Sequence, residues 1–339
     1  MTSEAQVKQG NGFNLADFLE RFGLLMAWGV VIIIFTILQP ETFASLSNFQ
    51  GILGSQAVLV ILTFALIIPL TAGDIDLSVV GTLMVSQMMI GVLNAQLHWP
   101  IMIVLPLCIV MGALVGLFNG FFVVKVGIES LIVTLGTQTV LIGIDLWMSH
   151  SMTISGISPG LSQYTIIERF LGVPLVFYYA LIICLLLWYI QQYTAMGRRL
   201  LFVGRSRSVS RLSGINVDRM RIGALVAAGI TSSLAGIFYA GTTGAADPVS
   251  GATFLLPAFA AAFLGATSIM PGRFNPWGSF ISVYFLVTGI TGLTLIGMET
   301  FVHNIFYGGA LILAVTLSHI VRRREASEEG TAPEDRLAP

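Results

Sequence analysis

Apolar runs of similar length, separated by short polar breaks, organise almost the whole chain. The first five fall at Phe22–Leu38, Ser55–Ala72, Leu77–Gln96, Pro100–Val124 and Leu131–Met148. After a longer polar stretch come Pro174–Gln191, Ile222–Tyr239, Thr253–Met270, Pro276–Ile296 and Phe301–Ile320. A helix needs about 20 apolar residues to cross a bilayer core of about 30 Å, so the spacing predicts about ten transmembrane helices. A spanning segment must satisfy its own backbone hydrogen bonds, so the expected fold is an all-α polytopic membrane protein. The breaks are least sharply marked around residues 55–97 and 253–297. Residues 1–21 form a polar leading segment, 22–320 the transmembrane domain and 321–339 a tail.

Composition agrees with that reading. The chain is 55% apolar and only 10% charged, with a mean hydropathy of +0.89. A soluble domain carries about 25% charged residues, and this chain lacks the polar surface to stay dissolved. Cys108 and Cys184 both lie inside apolar runs and read as packing residues, with no disulfide framework. Residues 1–21 contain Asp17 and Glu20 and do not read as a cleavable signal peptide; the first apolar run is expected to stay as an anchor.

Charge placement gives orientation. Arg198, Arg199, Arg205, Arg207, Arg211, Arg219 and Arg221 crowd one loop, residues 192–221, out of 16 Lys plus Arg in the chain. Basic loops stay on the cytoplasmic side. With the N-terminus inside, the loops holding Lys125, Arg198–Arg221 and Arg273 and the tail holding Arg322–Arg324 all share that side. The opposite loops hold little beyond Arg169. An even number of spans returns the tail to the cytoplasm, so the two criteria agree. Beyond Arg324 the tail is acidic, and disorder is expected there.

The interior offers no obvious enzyme. His98, His150, His303 and His319 do not pair with Cys, Asp or Glu at metal-ligand spacing. No glycine-rich loop ends in Lys-Ser or Lys-Thr, so the chain does not read as binding ATP itself. If transport here consumes ATP, another subunit supplies it.

Gly73-Asp74-Ile75-Asp76-Leu77-Ser78 places two carboxylates between closely spaced apolar helices. Ionisable groups at membrane depth are costly and often mark a pathway. Gly73 permits a helix break, and Asp74, Asp76 or Ser78 could cap the next helix. Two readings stay open: a tight capped turn at the interface, or a broken helix lining a permeation path. Asp145, near Trp147, reads as an interfacial or interhelical hydrogen-bonding group ahead of a solute ligand, and Glu299 with His303 as a solvated pair. Gly112, Gly116 and Gly120, and the run Ala258 to Gly265, suit close helix packing.

Within the basic loop, Ser206 as N-cap and Gly214 as C-cap delimit a helix of about two turns. Orientation alone does not require a capped helix, which points to a docking element; the alternative is a topology signal that also touches anionic lipid.

Four stretches, in order, resemble the membrane permeases of ABC sugar importers of the ribose, arabinose and xylose type. Gly73-Asp74-Ile75-Asp76-Leu77-Ser78-Val79 is similar to that family's GGIDLSVG, and Leu131 to Thr137 to its FIVTLGT. Gly197-Arg198, Gly204-Arg205 and Arg211-Leu212-Ser213-Gly214-Ile215 match its cytoplasmic segment. Gly265-Ala266-Thr267-Ser268 with Gly272-Arg273 and Trp277-Gly278 resembles its GGTS and GGRG region. There are departures. Val80 moves a glycine to Gly81, and Ser206, Arg207 and Ser208 replace Asn-Pro-Glu. Ala266, Pro271 and Phe274 replace glycines, and Ile128-Glu129-Ser130 stands where prolines are frequent. A divergent subunit paired with a second, different permease would fit these changes.

The resemblance implies a complete machine in a bacterial inner membrane. Two permease subunits, identical or different, would form the pathway. An ABC ATPase, carrying the ATP and Mg, would bind beneath, and a periplasmic solute-binding protein would deliver a monosaccharide or related small polar solute. No catalytic residue or metal is expected on this chain, and its other contacts would be with membrane lipid, not nucleic acid. By this resemblance Asp74, Asp76, Ser78, Thr134 and Thr137 are candidates for the translocation pathway. Arg205, Arg207, Ser208, Arg211 and Gly214 are candidates for ATPase coupling, with residues 206–213 as the coupling helix. Two other readings stay open: the same architecture serving a nucleoside or furanone-type signal, or an ion-coupled secondary transporter or channel using Asp74, Asp76 and Asp145.

Overall fold

The computed structural model describes residues 15–330, and it is almost entirely helical. The helices are α1 (Leu15–Leu38), α2 (Leu46–Ser55), α3 (Ala57–Thr71), α4 (Val79–Ile90), α5 (Ile101–Gly120) and α6 (Ser130–Ser149). There follow α7 (Pro159–Ser162), α8 (Leu175–Tyr193), α9 (Ala195–Arg205), α10 (Arg207–Leu212) and α11 (Val217–Thr243). The last three are α12 (Leu255–Gly265), α13 (Pro276–Leu295) and α14 (Thr300–Gly330). Wide π turns extend α4 to Gln96 and α5 to Val126.

Among the described residues, nine helical segments are long and apolar enough to cross a membrane, and Ser250–Gly265 adds a shorter apolar helix. The expected span Thr253–Met270 is thus cut back. Its chain leaves the helix at Ala266, and Ile269 and Gly272 take left-handed backbone angles of +63° and +78°. Asn275 holds this loop by donating to the carbonyls of Gly265, Ser268 and Arg273, and its Oδ1 accepts the Gly278 amide at 2.6 Å. The expected span Ser55–Ala72 is longer than its apolar run, since α2 continues into α3 with a bend at Gln56. At the other end of the chain, α14 runs through Gly330, where disorder was expected beyond Arg324. Residues 1–14 of the leading segment and 331–339 of the tail lie outside the described residues.

The core is built around α3, every residue of which is buried. Such a helix needs no polar face, and Ala57–Thr71 has almost none. Helices α8, α11, α12 and α13 surround it. At the crossing of α5 and α11, a Cβ on Gly112 would overlap the backbone at Gly229, and one on Gly116 the backbone at Leu225. These glycines let the two backbones touch, the packing route that membrane helices favour. The long loop between α6 and α8 is more ordered than its polar composition suggests. Strand β1 (Ile154–Ser155) pairs antiparallel with β4 (Ala245–Ala246), and β2 (Arg169–Phe170) with β3 (Val173–Pro174).

Candidate functional site

The end of α3 and the basic loop meet at one face of the bundle. Pro69 cannot donate a backbone hydrogen bond, but its carbonyl closes the helix by accepting the amides of Ala72 and Asp74. Gly73 then turns the chain at φ +78°, a conformation that costs an L residue about 1–2 kcal/mol. Gly204, near the end of α9, lies against this turn so closely that a Cβ would overlap the Thr71 carbonyl. The two glycines bring α10 down onto Asp74.

Asp74 is almost fully buried, with 2% of its side chain exposed, and it is gripped by two arginines. Arg221, on the first turns of α11 and 11% exposed, donates Nε to Oδ2 at 2.7 Å and Nη2 to Oδ1 at 2.6 Å. Arg207, at the first position of α10 and 45% exposed, donates to Oδ1 at 2.9 Å and to the Gly73 carbonyl at 2.9 Å. Paired, hydrogen-bonded burial is the condition under which a carboxylate can sit away from water.

Asp76 heads a different set. Its Oδ1 accepts the Ser78 amide at 2.9 Å and the Ser78 hydroxyl at 2.6 Å. The Asn119 amide donates to Ser78 Oγ at 2.8 Å, and the Thr137 hydroxyl donates to Asn119 Oδ1 at 2.7 Å. Every donor points toward the carboxylate, and all four residues are buried. Alongside, Thr134 Oγ1 accepts the Leu77 amide and Ser130 Oγ accepts the Ile75 amide, both at 3.1 Å. The Ile75 and Leu77 amides, which have no helical partner in the break, are thereby satisfied by α6.

The five expected pathway residues do not share one environment. Asp76, Ser78, Thr134 and Thr137 gather around the helix break, while Asp74 turns toward the basic loop and is fully engaged there. Thr137 also borders a groove of about 1030 Å³ between α4, α5 and α6, whose walls are otherwise almost wholly apolar. Helix α4 starts after Ser78, whose own side chain makes no cap bond; Asp76 takes up its amide instead. Asp145 lies on the same buried stripe of α6, with neither carboxylate oxygen hydrogen-bonded among the described residues. Beyond the C-terminal end of α11, Asp247 is held below the usual carboxylate range by the Thr153 hydroxyl and the amides of Ser250 and Val249. Glu299 is exposed, and His303 shares a 3.0 Å hydrogen bond with Thr294 rather than pairing with it.

Helix α10 spans six residues, close to the two turns expected. Ser206 caps it by accepting the Val209 amide, and Gly214 follows it at φ +77°. Both ends are tied to the membrane body: Arg207 to Asp74, and Arg211 to Asp218 at 3.1 Å, where Lys125 also reaches at 3.4 Å. Arg205 and Ser208 are exposed. Sequence reasoning passed over the apolar face of this helix. Val209 is 58% and Leu212 89% exposed, although apolar side chains on a helix this short would ordinarily turn inward. It also passed over Asn119, a lone amide inside an apolar run, and the individual role of Arg221.

The profile of the family described as branched-chain amino acid transport system / permease component matches residues 48–315. The chain belongs to that permease family. Its curated relatives include the D-allose transport system permease protein AlsC of Escherichia coli (strain K12), 27% identical over 321 residues, covering 95% of this chain and 98% of that one. The ribose import permease protein RbsC of Haemophilus influenzae is 27% identical over 308 residues, covering 90% and 95%. The autoinducer 2 import system permease protein LsrD of Salmonella paratyphi B is 28% identical over 261 residues, covering 75% and 78%. No solved structure matches the permease. As a family member it is a transport permease, and the resemblance drawn from its motifs holds over most of its length.

Proposed function

We propose that this permease carries a monosaccharide or a closely related polar solute through the membrane, powered by a separate ATPase that docks on α10. Relatives named for D-allose and ribose support the solute class. One observation carries the energetic half: a short helix with exposed Val209 and Leu212 is fastened by Arg207 to a carboxylate at the end of the central helix. A load on α10 reaches α3 and α11 directly through Asp74, and packed helices respond by shifting between discrete arrangements.

On this reading Asp74 is an anchor of the transmission, not a pathway wall. The set of Asp76, Ser78, Asn119 and Thr137 stiffens the break between α3 and α4 beside the translocation path. The basic-loop face is cytoplasmic, the membrane is the bacterial inner membrane, and a secreted binding protein presents solute to the opposite face. A second permease subunit completes the pathway. An ion-coupled carrier fits less well, because two guanidinium groups already neutralise Asp74 and one oxygen of Asp76 is taken up by Ser78. The relative named for autoinducer 2 supports a second reading within the same machine, a small furanone-type solute.

The test is uptake of labelled D-ribose, D-allose and autoinducer 2 by cells with and without the gene. Loss of energy-dependent uptake of one of them is expected. Unchanged uptake of all three refutes the proposed solute class.

A further inference from the structure

At the basic-loop end of the bundle, a cavity of about 80 Å³ opens between the end of α8, the start of α9 and the loop leading into α13. Among the described residues its wall carries hydrogen-bond donors and no carboxylate: Arg273, Gln191, Gln192 and the indoles of Trp188 and Trp277. Arg273 is exposed, and among the described residues its guanidinium has no hydrogen-bond or ion-pair partner. The Gln191 amide nitrogen is shut away from solvent with no acceptor among the described residues. Neither indole N–H has a protein acceptor among the described residues. A buried donor without a partner is expensive, and here the unmet donors cluster beside an unpaired positive charge.

We propose that this cavity binds the phosphate of an anionic phospholipid headgroup. Arg273 supplies the charge and Gln191 a donor, while the two tryptophans flank the glycerol portion. Three features favour a lipid over a soluble anion. The cavity lies at the ends of membrane-spanning helices, the level at which headgroups sit. Most of its wall is apolar, Leu201, Met270 and Phe274 among its lining residues. On the neighbouring turns, Tyr189 and Tyr193 are exposed and Trp188 packs edge-on against Tyr193 at 5.2 Å, an aromatic arrangement typical of the membrane interface. Arg198 and Arg199 extend the positive field along α9. Basic pockets between helices at this level are suited to anionic headgroups. The assignment is independent of the transported solute and of the energy source.

Native mass spectrometry of the full-length permease, titrated with phosphatidylglycerol or phosphatidylethanolamine, tests it. The wild type should retain phosphatidylglycerol in preference to phosphatidylethanolamine. Arg273→Gln should weaken that adduct about tenfold, the loss expected for one charge-assisted contact. Arg273→Lys should recover most of it, and Gln191→Leu should weaken it less than Arg273→Gln does. Equal phosphatidylglycerol retention by wild type and Arg273→Gln overturns the proposal. Complete displacement by inorganic phosphate, with no preference for either lipid, overturns it in favour of a soluble anion.

Discussion

Arg221 grips Asp74 with two parallel hydrogen bonds, Nε to Oδ2 at 2.7 Å and Nη2 to Oδ1 at 2.6 Å, across 147 residues of chain. Arg207 adds a third contact to the same carboxylate from the side of α10. One arginine belongs to the membrane body and the other to the helix exposed beneath it, so Asp74 joins the two parts.

The two arginines should therefore be separable by substitution. Arg221→Gln removes the buried partner of a buried carboxylate and should cost about 3 kcal/mol of stability, read as a lower melting temperature in detergent. Arg207→Gln touches a half-exposed pair and should cost about 1 kcal/mol or less, yet it should sharply reduce ATP-driven uptake. Equal stability losses in the two variants, or normal uptake in Arg207→Gln, would show that the arginines do not divide these roles.

Gly204 tests the same joint from the backbone side. A methyl group there overlaps the Thr71 carbonyl, so Gly204→Ala should push α9 away from α3 at a cost of about 1–3 kcal/mol. Membrane insertion should be normal. The melting temperature in detergent should fall accordingly; an unchanged melting temperature means that the glycine is not needed for the close approach.

Asn119 is the centre of the donor chain that ends on Asp76. Asn119→Ala strands the Thr137 hydroxyl and leaves Ser78 without its donor, which should cost about 2 kcal/mol. Thr137→Val removes only the terminal donor and should cost about 1 kcal/mol. Thermal unfolding of both variants and the double mutant measures the coupling, and strict additivity would argue against a connected network.

Val209 and Leu212 are the apolar residues that α10 turns outward. Leu212→Asp should weaken retention of the ATPase on the permease about 30-fold, the loss expected when an interface hot spot is removed. Ser208→Ala should have little effect. Co-purification at graded ATPase concentrations measures both, and wild-type retention by Leu212→Asp together with Val209→Asp would move the docking surface elsewhere.

Much of this architecture is written in the local sequence. Long apolar runs specify spans through a simple length requirement, and the arginine-rich loop is visible without any tertiary information. Ser206 and Gly214 bracket α10 through capping chemistry that acts over a few residues. The span at Thr253–Met270 came out shorter because the stop comes from Asn275, a side chain that satisfies carbonyls several residues upstream. Apolarity in that run describes packing against α13 and α14 rather than a full crossing. The site was legible as a set of residue types but not as a set of pairings. Asp74 and Asp76 are neighbours on one motif, yet Asp74 faces arginines far along the chain and Asp76 faces α5 and α6. No periodicity carries that distinction. Asn119 gave a usable signal, since an amide inside an apolar span needs a partner. Arg207 stands where the resembled family has proline, and the structure gives it a partner in Asp74.

Reconstitution tests the central claim most directly. The purified permease is placed in liposomes with labelled solute, its binding protein and an imposed ion gradient, with or without the ATPase and ATP. Uptake is predicted only when the ATPase and ATP are both present, and at limiting ATPase it should fall sharply when Leu212→Asp weakens docking. Gradient-driven accumulation by the permease alone would contradict the account.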